Sequence, residues 1–202
     1  MYKRQLLNKK CKKCFRDFLS SISKQFKTIF NEIPKLIAEL DLIKSGAKTS
    51  LAYHYCKPII DSNYNKSFIE SYEMRHPIIE QIQKKNKYIP NDCIIGKNHE
   101  SISSYPTNGI LLYGINASGK SSYMKAVGLN LILAQIGYYV AAKEYKYYPY
   151  QAIFTRICGN DDIYRGLSSF MVEMIELMSI LKRNDKNTLV IGDEICRGTE
   201  EK

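Results

Sequence analysis

The sequence predicts an α/β fold, a sheet with flanking helices, preceded by a long α-helical arm. Three observations carry that prediction. An apolar run, Gly109 to Tyr113, opens onto a glycine-bearing loop and then a stretch with helical spacing. A second apolar run, Thr188 to Gly192, ends in two carboxylates, Asp193 and Glu194. From Phe15 onward, apolar residues recur at steps of three and four, the signature of an amphipathic helix.

The arm comes first. Leu19, Ile22, Phe26, Ile29, Ile33, Leu36, Leu40 and Ile43 share one face, so one helix is expected up to about Ala47. Pro34 is expected to kink it. Gly46 and Pro58 bracket its end, which places a helical arm at residues 1–58 and a second domain at 59–202. Residues 59–108 are mixed and polar, with strand-like runs at Pro77–Ile82 and Cys93–Gly96. Gly109–Tyr113 reads as a buried strand. Ala126 to Ala142 carries no charge, but it falls short of the roughly 20 apolar residues of a membrane span and holds Asn130, Gln135 and two glycines. A buried helix behind the loop is expected there, and no membrane partner. Thr188–Gly192 reads as a strand able to lie beside the loop strand in a parallel sheet.

The loop itself is Gly114-Ile115-Asn116-Ala117-Ser118-Gly119-Lys120-Ser121, with the spacing G-x-x-x-x-G-K-[ST]. Between a strand and a helix this spacing builds a phosphate-binding loop. Its glycines let successive N–H groups point inward at phosphate oxygens, and the following helix aims its positive end at the same point. Lys120 can reach the β- and γ-phosphates and the Ser121 hydroxyl can ligate Mg²⁺. Asp193, at a strand end, belongs near that metal, and Glu194 is placed to polarise an attacking water. The bland readings are a Gly/Ser turn that happens to hold a lysine, and a strand leaving the core. The two motifs together point to a nucleoside triphosphatase using ATP and Mg²⁺.

Charge is uneven along the 202 residues. Residues 1–30 hold nine Lys/Arg against one acid, Asp17, while the net charge of the whole chain is +10. A basic stripe confined to one segment suggests a polyanion, with nucleic acid the leading candidate; a solvated helix face is the plain alternative. No continuous apolar segment follows the basic N-terminus, so no signal peptide is expected and the chain reads as intracellular. Six cysteines then read as free thiols. Cys11-x-x-Cys14 lacks the second pair that zinc needs. The sequence stops eight residues after Glu194, where a doubly wound sheet normally continues, so a fragment or a chain cut short is expected.

The residues between the two motifs add a family resemblance. Ile153-Phe154-Thr155-Arg156-Ile157 leads into Asn160-Asp161-Asp162-Ile163-Tyr164-Arg165-Gly166-Leu167-Ser168-Ser169-Phe170-Met171-Val172-Glu173-Met174. This resembles the I-F-T-R-x-G-x-x-D-D-L-x-x-G-x-S-T-F-M-x-E-M segment of the MutS family of DNA mismatch-recognition ATPases. Asp193 to Thr199 resembles that family's D-E-x-G-R-G-T, and Glu73-Met74-Arg75-His76-Pro77-Ile78-Ile79-Glu80 resembles the G-R-H-P-x-x-E with which its ATPase domain begins. Ala38 to Asp41 and Tyr53 to Pro58 resemble the last helix of its lever region. The departures are Ile115 for proline, Ala117-Ser118 for Met-Gly, Ser122 for threonine and Cys196 for glycine. The variant loop is most similar to the branch found in large DNA viruses.

The resemblance implies a P-loop NTPase sheet of the ABC type and assigns roles. Lys120 and the amides of 114–122 would hold phosphate, Ser121 and Asp193 the Mg²⁺, and Glu194 the water. Tyr88, followed by Ile89, would stack on adenine. Asn116 would sense the γ-phosphate, and Ser168 would reach the γ-phosphate bound by the opposite subunit. The implied partners are mismatched double-stranded DNA and a second MutS-like subunit completing the site in trans. His76, before Pro77, reads as structural. Two other readings stand beside this one. A structural-maintenance type of ABC ATPase would carry an L-S-G-G motif that Leu167-Ser168-Ser169 only grazes. A chain that binds DNA or a partner through its basic helix would hydrolyse nothing.

Overall fold

Two helices open the chain, α1 (Tyr2–Gln25) and α2 (Lys27–Tyr53). The computed structural model describes residues 2–82, 88–97, 107–156, 169–193 and 195. Helical bonding runs across the α1–α2 break, since Phe26 N donates to Ile22 O and Phe30 N to Phe26 O, both at 2.9 Å. The one-residue interruption falls at Phe26, not at Pro34, which lies inside α2. Gly46 does not stop the helix either. An isolated glycine costs a helix only about 1 kcal/mol, and α2 continues seven residues past it to Tyr53.

The chain divides into two units, Met1–Lys48 and Thr49–Lys202. The first is helical, and its apolar stripe (Phe15, Leu19, Ile29, Leu36, Leu40, Ile43) is exposed. The second is mixed α/β. It contains β1 (Ile59–Ile60), β2 (Phe68–Met74), α3 (Ile79–Ile82), β3 (Asn91–Ile95), α4 (Lys120–Gln135), β4 (Glu144–Tyr148), β5 (Ala152–Arg156), α5 (Ser169–Arg183) and β6 (Thr188–Gly192).

Four strands form a sheet in the order β1-β4-β2-β3, with β2 antiparallel to both neighbours and β1 parallel to β4. The sequence hid this sheet because β2, Phe-Ile-Glu-Ser-Tyr-Glu-Met, is buried on both faces near its start and shows no clean alternation. Its register shifts at Glu73, whose φ of 50° is left-handed and whose N–H donates to Asp92 Oδ1 at 2.8 Å. Such a bulge takes one residue out of the ladder. β5 and β6 pair in parallel as a second, two-stranded sheet.

Two sequence expectations are corrected here. Ile79–Ile82 is a short helix, not a strand. His76 makes it so: its Nδ1 accepts the amides of Ile78 and Ile79, both at 3.2 Å, as a cap does. Burial pushes the His76 pKa down, in keeping with a neutral ring that accepts these bonds. The second correction is Gly109–Tyr113, which is not a strand. Ile110 and Leu112 line a cavity of about 430 Å³ whose other walls include Leu189 and Val190 of β6, and Leu111 is 88% exposed. A strand exists through its ladder, and no residue of 109–113 pairs in either sheet. The apolar run stands across the cavity from β6 rather than bonded to it.

The core lies where α4 covers both sheets. Ala126, Val127, Leu131 and Ala134 of α4 meet Ile69, Met74, Tyr145 and Tyr147 of the larger sheet and Leu189 and Ile191 of the smaller. Gly128 permits the approach, because a β-carbon there would lie 3.0 Å from Ile191 Cδ1. Tyr147 anchors the contact by donating its hydroxyl to Ala134 O at 3.0 Å. Among the described residues no helix is long and apolar enough to cross a membrane.

Candidate functional site

The site begins with the 114–121 loop. Gly114, Ala117 and Gly119 take positive φ values of 153°, 62° and 95°. Ala117 bears the cost of that conformation, which glycine would not. The Ser118 amide turns back to Ile115 O at 3.3 Å. Gly119 precedes α4 in a left-handed conformation, and Lys120 is the first helical residue. The Lys120 ammonium donates to Gly114 O at 2.8 Å and Ile115 O at 2.9 Å. The loop thus closes around its own lysine. These carbonyls are weak substitutes for an anion, and a phosphate oxygen offers the ammonium a stronger, charge-assisted bond.

Ser121 and Ser122 follow in the first turn of α4, both half-buried, and Asn116 and Ile115 are exposed on the loop. The N–H groups of this first turn have no partner inside the helix. Positive φ at three loop positions, the free first-turn amides, one ammonium and one hydroxyl at Ser121 make a donor set that suits a polyphosphate and its metal.

Asp193 follows β6 directly, and its backbone N–H donates to Arg156 O at 2.8 Å. That bond continues the β5–β6 ladder and fixes the strand end. Because α4 packs on β6, the helix that follows the loop and the strand that ends at Asp193 share one core. Glu194 and Ser168 lie outside the described residues. α5 begins at Ser169, directly after Ser168.

Tyr88 and Ile89 precede β3. Ile89 is exposed, and its carbonyl accepts from Asn91 Nδ2 at 3.0 Å. Burial raises the Tyr88 pKa, with the Glu80 charge adding to it. A contact the sequence did not reveal ties this segment to the loop helix: the Tyr123 hydroxyl donates to Asp92 O at 2.9 Å. Tyr123 lies one turn after Lys120. Its pKa rises far through burial, with further contributions from Cys93, Asp92 and Tyr88, so the 88–93 segment and the head of α4 form one cluster. The signal for this lay in an aromatic three residues after the loop lysine, which in sequence is one tyrosine among sixteen.

Among the described residues no group of His, Cys, Asp and Glu side chains could by itself hold a metal ion. Cys11 and Cys14 are exposed free thiols.

A mixed α/β body with a glycine-bearing loop at a helix start and a carboxylate at a neighbouring strand end is the class of protein this geometry defines. Comparison with known proteins makes it particular. Residues 110–202 match the family model for MutS domain V. The chain is 41% identical, over 94% of its length, to a mutS-homologue DNA mismatch repair protein of Acanthamoeba polyphaga mimivirus. It is 36% identical over 94% of its length to the mitochondrial DNA mismatch repair protein mutS homologue of Sarcophyton glaucum, and 38% identical over 87% to DNA mismatch repair protein MutS of Bacillus subtilis. It covers 19%, 18% and 19% of these relatives, about a fifth of their length. The chain belongs to the MutS family. That decides between the two enzyme readings of the sequence, against a structural-maintenance ATPase.

Proposed function

We propose that this chain is the ATP-binding segment of a MutS-type mismatch repair protein, with residues 1–58 as a lever-like arm and 59–202 as a P-loop ATPase domain. The single observation that carries the reading is the Lys120 ammonium held at the centre of a loop with three positive-φ positions, at the head of a helix. In this reading Lys120 leaves the Gly114 and Ile115 carbonyls for phosphate oxygens, and the amides of 114–122 close around them. Asn116 faces the terminal phosphate. Ser121 and Asp193 hold Mg²⁺, which when bound neutralises charge on the phosphates. Tyr88 and Ile89 offer the base an aromatic face and an apolar edge. Glu194 orients the attacking water, and Ser168 reaches the phosphate bound by a partner subunit.

A site shared between subunits works by positioning and charge stabilisation, so losing one donor costs rate more than affinity, about 10²–10³ in kcat. Binding without turnover is therefore the expected behaviour of the 202-residue chain alone. Mismatched duplex DNA is the partner of the assembled protein, and clamp movement on it is the output. The basic stripe of residues 1–30 gives this segment its own attraction to polyanions. Titrating a fluorescent ATP analogue into the chain, with and without Mg²⁺, tests the reading. Metal-dependent saturation is expected, and no binding at millimolar analogue would overturn it.

A further inference from the structure

The Arg75-His76-Pro77 motif takes no part in this nucleotide chemistry, and the structure gives Arg75 a different place. α2 ends at Tyr53, and His54 directly after it has a left-handed φ of 53°. The Tyr55 amide bonds back to Ser50 O at 3.0 Å. This is a Schellman stop built without glycine, and a β-carbon in that conformation is strained. The Arg75 guanidinium holds it. Its Nη2 donates to Tyr53 O at 3.0 Å and His54 O at 3.2 Å, which puts a cation on the negative end of the helix dipole. The same guanidinium lies 5.8 Å from the centroid of the Tyr55 ring. Its Nε stands 3.4 Å from Glu80 Oε2, an ion pair whose alignment makes no hydrogen bond. Burial raises the Glu80 pKa, and Arg75 opposes that rise.

The backbone of Arg75 is gripped from the other side. Its N–H donates to Ala141 O at 2.7 Å, and its carbonyl accepts from Asn130 Nδ2 at 3.0 Å. Asn130 is fully buried. It also donates to Ala126 O at 2.9 Å and accepts the Ala141 amide at 2.8 Å. Asn130 sits ten residues along α4 from Lys120, about 15 Å at 1.5 Å per residue. One rigid helix therefore carries the loop lysine at its head and the clamp on Arg75 further along.

We infer that Arg75, seated by Asn130, is a positioning residue that couples the 114–121 loop to the last turn of α2. The input end rests on the nucleotide reading above; the cap on α2 does not. When the loop rearranges around phosphate, α4 carries Asn130 with it, and the Arg75 carbonyl and guanidinium follow. Arg75 Nε and Glu80 Oε1 make no hydrogen bond, so a shift of the guanidinium toward Glu80 that weakens its Nη2 bonds to Tyr53 and His54 supplies the second arrangement that a switch requires.

Hydrogen exchange of the 202-residue chain, read by mass spectrometry over residues 49–58, tests this. Nucleotide affinity is measured in parallel with the fluorescent ATP analogue. In the wild type, Mg²⁺ with a non-hydrolysable ATP analogue should change exchange in 49–58 by about fivefold or more, the lower range of allosteric couplings. Without nucleotide, Arg75→Gln should speed that exchange by about tenfold, the loss of a charge-assisted bond. Added nucleotide should then change it no further, while affinity stays at the wild-type value. Arg75→Lys should restore part of the protection. Asn130→Ser should reproduce the effect, and combining it with Arg75→Gln should add nothing. Arg75→Gln alone keeps the test decisive if the buried Asn130 variant fails to fold. Wild-type exchange in nucleotide-free Arg75→Gln would overturn the cap. An intact cap with normal nucleotide binding and no change in 49–58 would overturn the coupling. Absence of binding in the affinity measurement would overturn the nucleotide reading and the coupling with it, while leaving the cap standing.

Discussion

Replacing Lys120 with alanine separates the chemistry of the loop from the stability of the fold. In the structure the ammonium makes two bonds, at 2.8 and 2.9 Å, to the carbonyls of Gly114 and Ile115. Both carbonyls belong to exposed residues. On losing the lysine they return to water, so Lys120→Ala should change unfolding free energy by no more than about 0.5 kcal/mol, as for other surface substitutions. Binding is different. A bond from an ammonium to a charged acceptor contributes about 1.5–3 kcal/mol. The loop carbonyls already satisfy part of the ammonium in the free state, so the net loss belongs near the lower figure, about tenfold in Kd. The assay is a titration of fluorescent ATP analogue in Mg²⁺, paired with a urea melt of each variant. Unchanged Kd would refute the assignment of Lys120 to phosphate. A tenfold loss of affinity together with a large loss of stability would refute the claim that its loop bonds are only placeholders.

Three further outcomes are expected. Gly128→Val should destabilise the second unit by about 1–3 kcal/mol through overpacking, since even a bare β-carbon there would lie 3.0 Å from Ile191 Cδ1; a urea midpoint no lower than wild type would count against the α4–β6 packing. Glu70 and Lys97 pair at 2.6 Å. Burial alone would raise the Glu70 carboxyl, but the Lys97 bond and charge, with the Tyr72 hydroxyl, hold it below its ordinary 4.5. A group whose folded pKa lies below its unfolded one stabilises above the unfolded value and loses that contribution as pH falls through the folded one. The urea midpoint should therefore drop on acidification below pH 4.5, and Lys97→Met should shrink that part of the drop. Deleting residues 1–30 removes nine basic residues and should flatten the log–log salt dependence of duplex DNA binding by about 0.9 for each phosphate that is no longer neutralised; an unchanged slope would make the basic stripe a solvated face.

The sequence by itself determined the class of protein, the loop, the strand end and the family. Each is written in residue types whose chemistry is local. Gly114, Gly119 and Lys120 need only their own backbone and the helix that follows, and the 188–192 run is apolar enough to be a strand in any sheet. The helical period of the arm was legible for the same reason, although its break at Phe26 and its continuation past Gly46 were not, because propensity is a small term beside the bonding of a long helix.

Tertiary structure decided whatever depends on a partner distant in the chain. Gly109–Tyr113 is as apolar as a strand but pairs in neither sheet, and no apolar run announces its neighbour. The β1-β4-β2-β3 sheet was hidden because burial on both faces erases alternation. Asn130 stood out in sequence only as a polar residue in an uncharged stretch. Folding gave it meaning, since it places the Arg75 carbonyl and the Ala141 amide around one fully buried amide group that must satisfy its hydrogen bonds or cost the fold their desolvation.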